Sequence, residues 1–227
     1  MKIIVVGGSK GIGTALVEKL LTSCNVINIS ISIPEISQNS NLTHHNYDIT
    51  QDELPDIKIA NGLFYCSGSI NLKPIFRLSI NDFINDFEIN VLGAVKVIQK
   101  YIPILKKGIK HSIVLFSTVA TKLSMPYYAS IAVSKSGIKG LVKSLGTELA
   151  PPFHINTITP TTTNTQLTSK LLRNKKMPES ITKRNPLKKY LSPTKVANMT
   201  AFLLSKSCDS ISDQIFEMDC GIVSFKM

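Results

Sequence analysis

The sequence predicts an α/β fold: a doubly wound parallel sheet with helices on both faces, in three layers. Three observations predict it. The chain opens on an apolar run, Ile3-Ile4-Val5-Val6, that breaks abruptly into glycine. Short runs rich in β-branched residues then alternate with helical periodicity through five cycles. Several of those runs end on small or hydroxylated residues, as at Gly7, Gly68 and Thr118, and in such sheets ligands collect at the carboxyl ends of the strands. With 227 residues, 43% of them hydrophobic, the chain can fill one sizeable core, and residues 1–227 read as a single domain.

Taken in order, Ile3 to Val6 suit a strand buried on both faces. Gly7 permits a sharp exit from it, Gly11 lets backbone approach a pyrophosphate, and Gly13 allows the next helix to press on the sheet. That helix carries Ala15, Leu16, Leu20 and Leu21 on one side, so its N-terminal amides face an anion held over the turn. A dinucleotide is the expected guest; a plain strand-to-helix turn is the alternative. Residues 25–32 read as a second strand with a polar end, and 37–46, polar throughout, as a shortened helix or a loop. Asp48 follows, read as a cap on its turn. Residues 62–68 form the fourth parallel strand.

An amphipathic helical pattern runs over 80–106 and contains Phe83, Phe87, Asn90, Val91, Ala94, Val95 and Ile98. A buried Asn90 there needs partners for its amide. Residues 112–118 make the fifth strand, and 136–149 continue the helix that carries Lys135, stopped by Pro151-Pro152. A sixth strand over 154–160 runs into the hydroxyl-rich stretch 161–165, and a further helix covers 194–204.

The totals bound the function. There is no run of about 18 apolar residues to span a membrane and no leader pattern at the start. Cys24, Cys66, Cys208 and Cys220 have no C-x-x-C spacing, and reduced thiols in a cytoplasmic protein are expected. His44, His45, His111 and His154 form no ligand pair, so no metal is expected. The formal charge is +11, and its distribution is informative: Lys170, Arg173, Lys175, Lys176, Lys183, Arg184, Lys188 and Lys189 cluster at 166–190 against the single acid Glu179. A cluster without zinc-finger spacing or interleaved aromatics argues against a nucleic-acid partner.

Val6-Gly7-Gly8-Ser9-Lys10-Gly11-Ile12-Gly13 resembles the cofactor loop of the short-chain dehydrogenase/reductase family, with Val6 where that family commonly has Thr. The resemblance extends over essentially the whole chain. Tyr65-Cys66-Ser67-Gly68 stands where the family has N-N-A-G, Asn90-Val91-Leu92-Gly93 is similar to its N-x-x-G, and the segment 129–137 is similar to that around its catalytic lysine. Pro160 and Thr165 match P-G-x-x-x-T, with Thr161 in place of glycine. Asn185-Pro186-Leu187 and the tail 215–221, with Cys220 in place of a glycine, also match.

The resemblance implies a Rossmann domain that moves hydride between NADP(H) and a small carbonyl or alcohol substrate. It places Ser9, Ile12, Asp48, Ile49, Cys66, Ser67, Gly68, Asn90, Lys135, Pro160, Thr163 and Thr165 against the cofactor, besides the loop glycines. Ser30 closing the second strand, without a carboxylate, and Lys10 in the glycine loop favour NADP(H) over NAD(H); a solvated Lys10 is the alternative. Residues 166–190 correspond to a substrate lid, whose charge would attract an anionic substrate. A homodimer or homotetramer is also implied.

The family's catalytic pattern is Y-x-x-x-K, with a serine thirteen residues before the tyrosine. Lys135 matches, but Ile131 stands at the tyrosine position and Thr118 at the serine. Thr118 keeps a hydroxyl; Ile131 cannot move a proton. Either Tyr127 or Tyr128 supplies the phenol, if the helix begins early at Pro126, or the chain is a non-catalytic NAD(P)-binding protein, a sensor or partner subunit.

Overall fold

The structure, a computed structural model, describes residues 1–36, 38–109, 111–169 and 176–225. Seven parallel strands form one sheet in the order β3-β2-β1-β4-β5-β6-β7. They are β1 (Lys2–Val6), β2 (Asn25–Ser30), β3 (Leu42–Asn46), β4 (Gly62–Tyr65), β5 (Ser112–Phe116), β6 (His154–Pro160) and β7 (Ile215–Met218). The chain winds outward from β1 to β3, then returns to the other side of β1 with β4, so strand order reverses between β1 and β4. Register keeps the carboxyl ends level there: Val6 lies opposite both Ile29 and Tyr65.

The helices are α1 (Gly11–Leu21), α2 (Ile80–Phe87), α3 (Gly93–Leu105), α4 (Ala129–Glu148), α5 (Lys176–Arg184) and α6 (Pro193–Phe202). Successive residues of β1 point to opposite faces, as a pleated strand requires. Ile3 and Val5 pack with Leu16, Val17 and Val196 under α1 and α6. Ile4 and Val6 pack with Val97, Ile98 and Val142 under α3 and α4. The doubly wound, three-layer architecture expected from the sequence is the one observed.

Two local expectations are corrected. Within 37–46, Leu42–Asn46 is neither helix nor loop but the edge strand β3, paired to β2. It is held also by a side-chain contact, Asn28 Nδ2 to His44 Nδ1 at 3.0 Å. Strand and helix do not alternate through every crossover: residues 47–61 reach β4 without a helix. That segment covers the sheet with Ile49, Leu54, Ile57 and Ala60, all in the same core as α3. Burying a side chain of the Leu54 or Ile57 class is worth about 1.5–3 kcal/mol. The segment is tied to α3 by polar contacts, since Lys96 Nζ donates to the Asp52 carbonyl at 2.5 Å and the buried Tyr101 hydroxyl to the Pro55 carbonyl at 2.9 Å.

The pattern over 80–106 is interrupted rather than continuous. Between α2 and α3 the five residues Glu88–Leu92 form a π-helical turn, in which the Gly93 amide donates to the Glu88 carbonyl. The Tyr65 hydroxyl donates to the Ile89 carbonyl at 2.5 Å. No helix among the described residues is long and apolar enough to cross a membrane.

Tyr101→Phe removes a buried donor and leaves the Pro55 carbonyl unpaired, so a loss of about 1 kcal/mol in unfolding free energy is expected from urea denaturation.

Candidate active site

A cleft opens over the carboxyl ends of the central strands. At its β1 side the chain leaves the strand through Gly7, whose φ of 81° lies in the left-handed region. Only a hydrogen fits there, because a Cβ would meet the Ser67 amide at 2.5 Å. Gly13 is the second obligatory position: a Cβ on it would overlap the Gly7 carbonyl oxygen, so α1 rides directly on the turn. The Gly8 amide donates to Asn28 Oδ1 at 3.0 Å. Lys10, the exposed N-cap of α1, makes no side-chain capping bond, so the first amides of the helix are free of a side-chain acceptor.

Across the cleft stands Lys135, on the second turn of α4. Its Nζ donates to the Phe116 carbonyl at 3.0 Å, and its own carbonyl accepts from Ser117 Oγ at 2.9 Å. Burial pushes Lys135 down to about 8; Cys66 and Asp86 act in the opposite direction. Burial pushes the Cys66 thiol up to about 12, against the pull of Lys135. Gly68 lies between the polar groups: a Cβ there would sit 2.9 Å from Asn90 Oδ1 and 3.4 Å from Lys135 Nζ.

Asn90 is fully buried on the π turn. Its Nδ2 donates to the Asp86 carbonyl at 2.8 Å and to Ser69 Oγ at 3.1 Å, while its Oδ1 has no partner. Thr118 caps a short 3-10 turn through a long 3.4 Å bond from the Ala120 amide. Tyr128, Ile131, Thr118, Asn90 and Lys135 all line the one cleft, with Ile12, Cys66, Gly68, Pro160, Thr163 and Thr165 around them.

The two tyrosines are not on the helix. α4 begins at Ala129, Tyr128 is its N-cap, and Tyr127 precedes it at φ 72°. Pro126 therefore does not start a helix, because the left-handed residue after it turns the chain. The consequence distinguishes the pair: Tyr128 lines both the cleft and an adjoining groove formed with Ile75, Phe76 and Leu123, whereas Tyr127 lines the groove and not the cleft. Burial raises the Tyr128 phenol, and the Arg184 charge on α5 lowers it in part.

Other predicted residues are placed less simply. Ser30 Oγ is already engaged, accepting from Asn28 Nδ2 at 2.9 Å and donating to the Ser32 carbonyl at 3.0 Å. Asp48 accepts from the Thr50 hydroxyl at 2.6 Å and the Thr50 amide at 2.9 Å, the turn-capping role, and these bonds hold its carboxyl below the usual range. The Ile49 side chain is buried in the core rather than turned toward the cleft. Thr163 Oγ1 donates to the Thr161 carbonyl at 3.0 Å, and Thr165 packs over Gly11. Of the basic cluster, Lys183, Arg184, Lys188 and Lys189 are exposed, while Lys170, Arg173 and Lys175 lie outside the described residues.

Sequence reasoning missed three polar residues: Ser69, which lines the cleft, and Asp86 and Ser130 behind it. One signal was available. Asp86 stands one helical turn before Asn90, so an acid shares the face of a residue already expected to be buried.

Residues 55–223 match the family model described as enoyl-(acyl carrier protein) reductase. The chain is 29% identical over 150 residues to the 3-oxoacyl-(acyl-carrier-protein) reductase FabG of Thermotoga maritima, covering 66% of this chain and 60%, less than two thirds, of that protein. It is 25% identical over 240 residues to a tropinone reductase homolog of Arabidopsis thaliana, covering 96% of this chain and 90% of the relative. A 4-hydroxyisoleucine dehydrogenase solved with NADH superposes with a TM-score of 0.88 at 22% identity, over 99% of each chain.

Gly13→Ala forces α1 off the Gly7 carbonyl and is expected to cost about 1–3 kcal/mol by denaturant unfolding. Gly140→Ala on α4 is the control: its Cβ meets nothing within 4 Å, and a gain of about 0.5–1 kcal/mol is expected.

Proposed function

Because the chain belongs to the short-chain dehydrogenase/reductase family, we propose that it transfers hydride between NADP(H) and a carbonyl or alcohol substrate. The observation that carries this reading is the convergence of Lys135, Asn90, Thr118 and Tyr128 on one cleft beside the glycine turn. Two features fit a nicotinamide dinucleotide. The uncapped amides of α1 suit a pyrophosphate, and the orphaned Asn90 Oδ1 beside Lys135 offers an acceptor where hydroxyls of a ligand would lie.

When bound, the nicotinamide supplies or takes the hydride. Thr118 Oγ1, loosely held by the Ala120 amide, is free to donate to the substrate oxygen. Tyr128 is the proton donor of the proposal. Burial keeps its phenol protonated, which suits the reductive direction. Lys135 as an ammonium would hold the ribose, and a water accepted on Asn90 Oδ1 would carry protons onward from it. Lys10 favours NADP(H) by its charge, since the Ser30 hydroxyl is already engaged. The exposed Lys183, Arg184, Lys188 and Lys189 favour an anionic substrate, such as a carboxylate or a phosphopantetheine thioester. Exposed Ile80, Ile84, Leu92 and Val133 on α2, the π turn and α4 support association into a homo-oligomer.

Ile131 supports a second reading. It lines the cleft at 3% exposure and carries no proton, as in a cofactor-binding protein without turnover. Fluorescence titration with NADPH and with NADH is the first test; saturable binding, tighter for NADPH, is expected, and binding of neither overturns both readings. In a reductase, Tyr128→Phe should lower the rate of carbonyl reduction at least about a hundredfold, while Tyr127→Phe leaves it unchanged. A parent protein that binds NADPH and reduces no carbonyl favours the binder. The pH profile has a definite sign: Lys135 is charged below about 8 and neutral above it, so reduction should decline as pH rises through that value.

A further inference from the structure

Asp86 has no exposed surface and no part in the roles assigned above. Its Oδ1 accepts from Ser69 Oγ at 2.5 Å and Asn71 Nδ2 at 3.1 Å, and its Oδ2 from Ser130 Oγ at 2.5 Å. Ser69 and Asn71 belong to the loop after β4, and Ser130 to the first turn of α4, next to Ile131. All three donors are neutral, and among the described residues no ion pair includes Asp86. A carboxylate buried without a cation in contact is costly, so its charge needs a partner at longer range.

Asp86 acts on Lys135, favouring its charged form. Ser69 links the two sides, lining the cleft while donating to Asp86 and accepting from Asn90 Nδ2. We propose that Asp86 is the positioning residue and counter-charge of the cleft: it fixes Ser69 and the first turn of α4 around Lys135 and balances the half-buried ammonium. The groups facing Lys135 narrow the assignment. From β5 it meets the neutral Phe116 carbonyl, and from the end of β4 the Cys66 thiol. With that thiol pushed up to about 12, Cys66 is uncharged where Lys135 titrates. Arg184 on α5 acts on Tyr128, and Lys122 and Glu217 act on Lys139, one turn further along α4. Among the described residues, Asp86 on α2 is the remaining negative charge acting on Lys135.

The test needs no turnover. Protein labelled with 13Cε-lysine is titrated by NMR, with the Lys135 resonance assigned through its loss in Lys135→Arg. Asp86→Asn keeps the shape and removes the charge, so the Lys135 midpoint should fall by about half a pH unit or more; an unmoved midpoint in the folded variant overturns the proposal. Ser130→Ala keeps the charge and removes one donor. Its midpoint should stay or rise, and a fall would show that the hydrogen-bonded frame rather than the charge acts on the ammonium. NADPH titration of the parent separates the two readings: absent binding sinks the proposed function and leaves the Lys135 titration valid.

Discussion

A half-buried ammonium at the cleft constrains the carboxyl end of the sheet. Lys135 cannot be moved from bulk solvent without substitutes for its hydration. The substitutes come from separate elements: the Phe116 carbonyl at the end of β5 and the charge of Asp86 on α2. The strand ends on that side are held in register, Val6 opposite Tyr65 and Tyr65 opposite Leu115. Lys135 is also fixed along its own backbone, where Ser117 Oγ holds its carbonyl. The cleft is thus a place where strand ends and helix starts are brought level by electrostatics as well as by packing.

The opposite wall depends on shape rather than charge. Gly13 against the Gly7 carbonyl sets how close α1 can lie to the sheet. With α1 in place, α6 packs beside it, and Leu16, Val17, Val196 and Leu203 fill the layer between. On the other face, residues 47–61 lie as an irregular strap held by Tyr101 and Lys96. The fold thus tolerates the loss of a helix where buried side chains and backbone acceptors find substitutes.

Most of the fold was legible because its signals are local. The run Ile3–Val6 with its glycines, and the strand His154–Pro160, announce themselves by apolar continuity and by what ends them. β3 did not, since Leu-Thr-His-His-Asn at a sheet edge has no apolar alternation to read. The start of α4 is open in the sequence for another reason: Pro126 is compatible with a first helical turn, but the left-handed backbone of Tyr127 is not, and no local signal marks it. In the site, Lys135, Asn90 and Thr118 could be placed through their resemblance to the family's motifs. Asp86 could not. A lone acid in an amphipathic pattern reads as solvated, and its burial becomes visible only when Ser130, 44 residues away in sequence, closes over it.

The π turn at Glu88–Leu92 lets one rod do two jobs. An α-helix presents the same azimuth every 3.6 residues, so a continuous helix from Ile80 to Leu105 would commit its whole length to one side. A single residue inserted into the repeat advances everything after it by roughly 100°. Before the slip, Asp86 is aimed at the Ser69 and Ser130 hydroxyls behind the cleft; after it, Ala94, Val97, Ile98 and Tyr101 are aimed at the sheet. The Ile89 carbonyl, left over by the slip, is taken up by the Tyr65 hydroxyl, which reaches it because Gly93 has no side chain in the way. The turn acts as a gear between chemistry and packing, with Asn90 at the tooth where the two meshes differ.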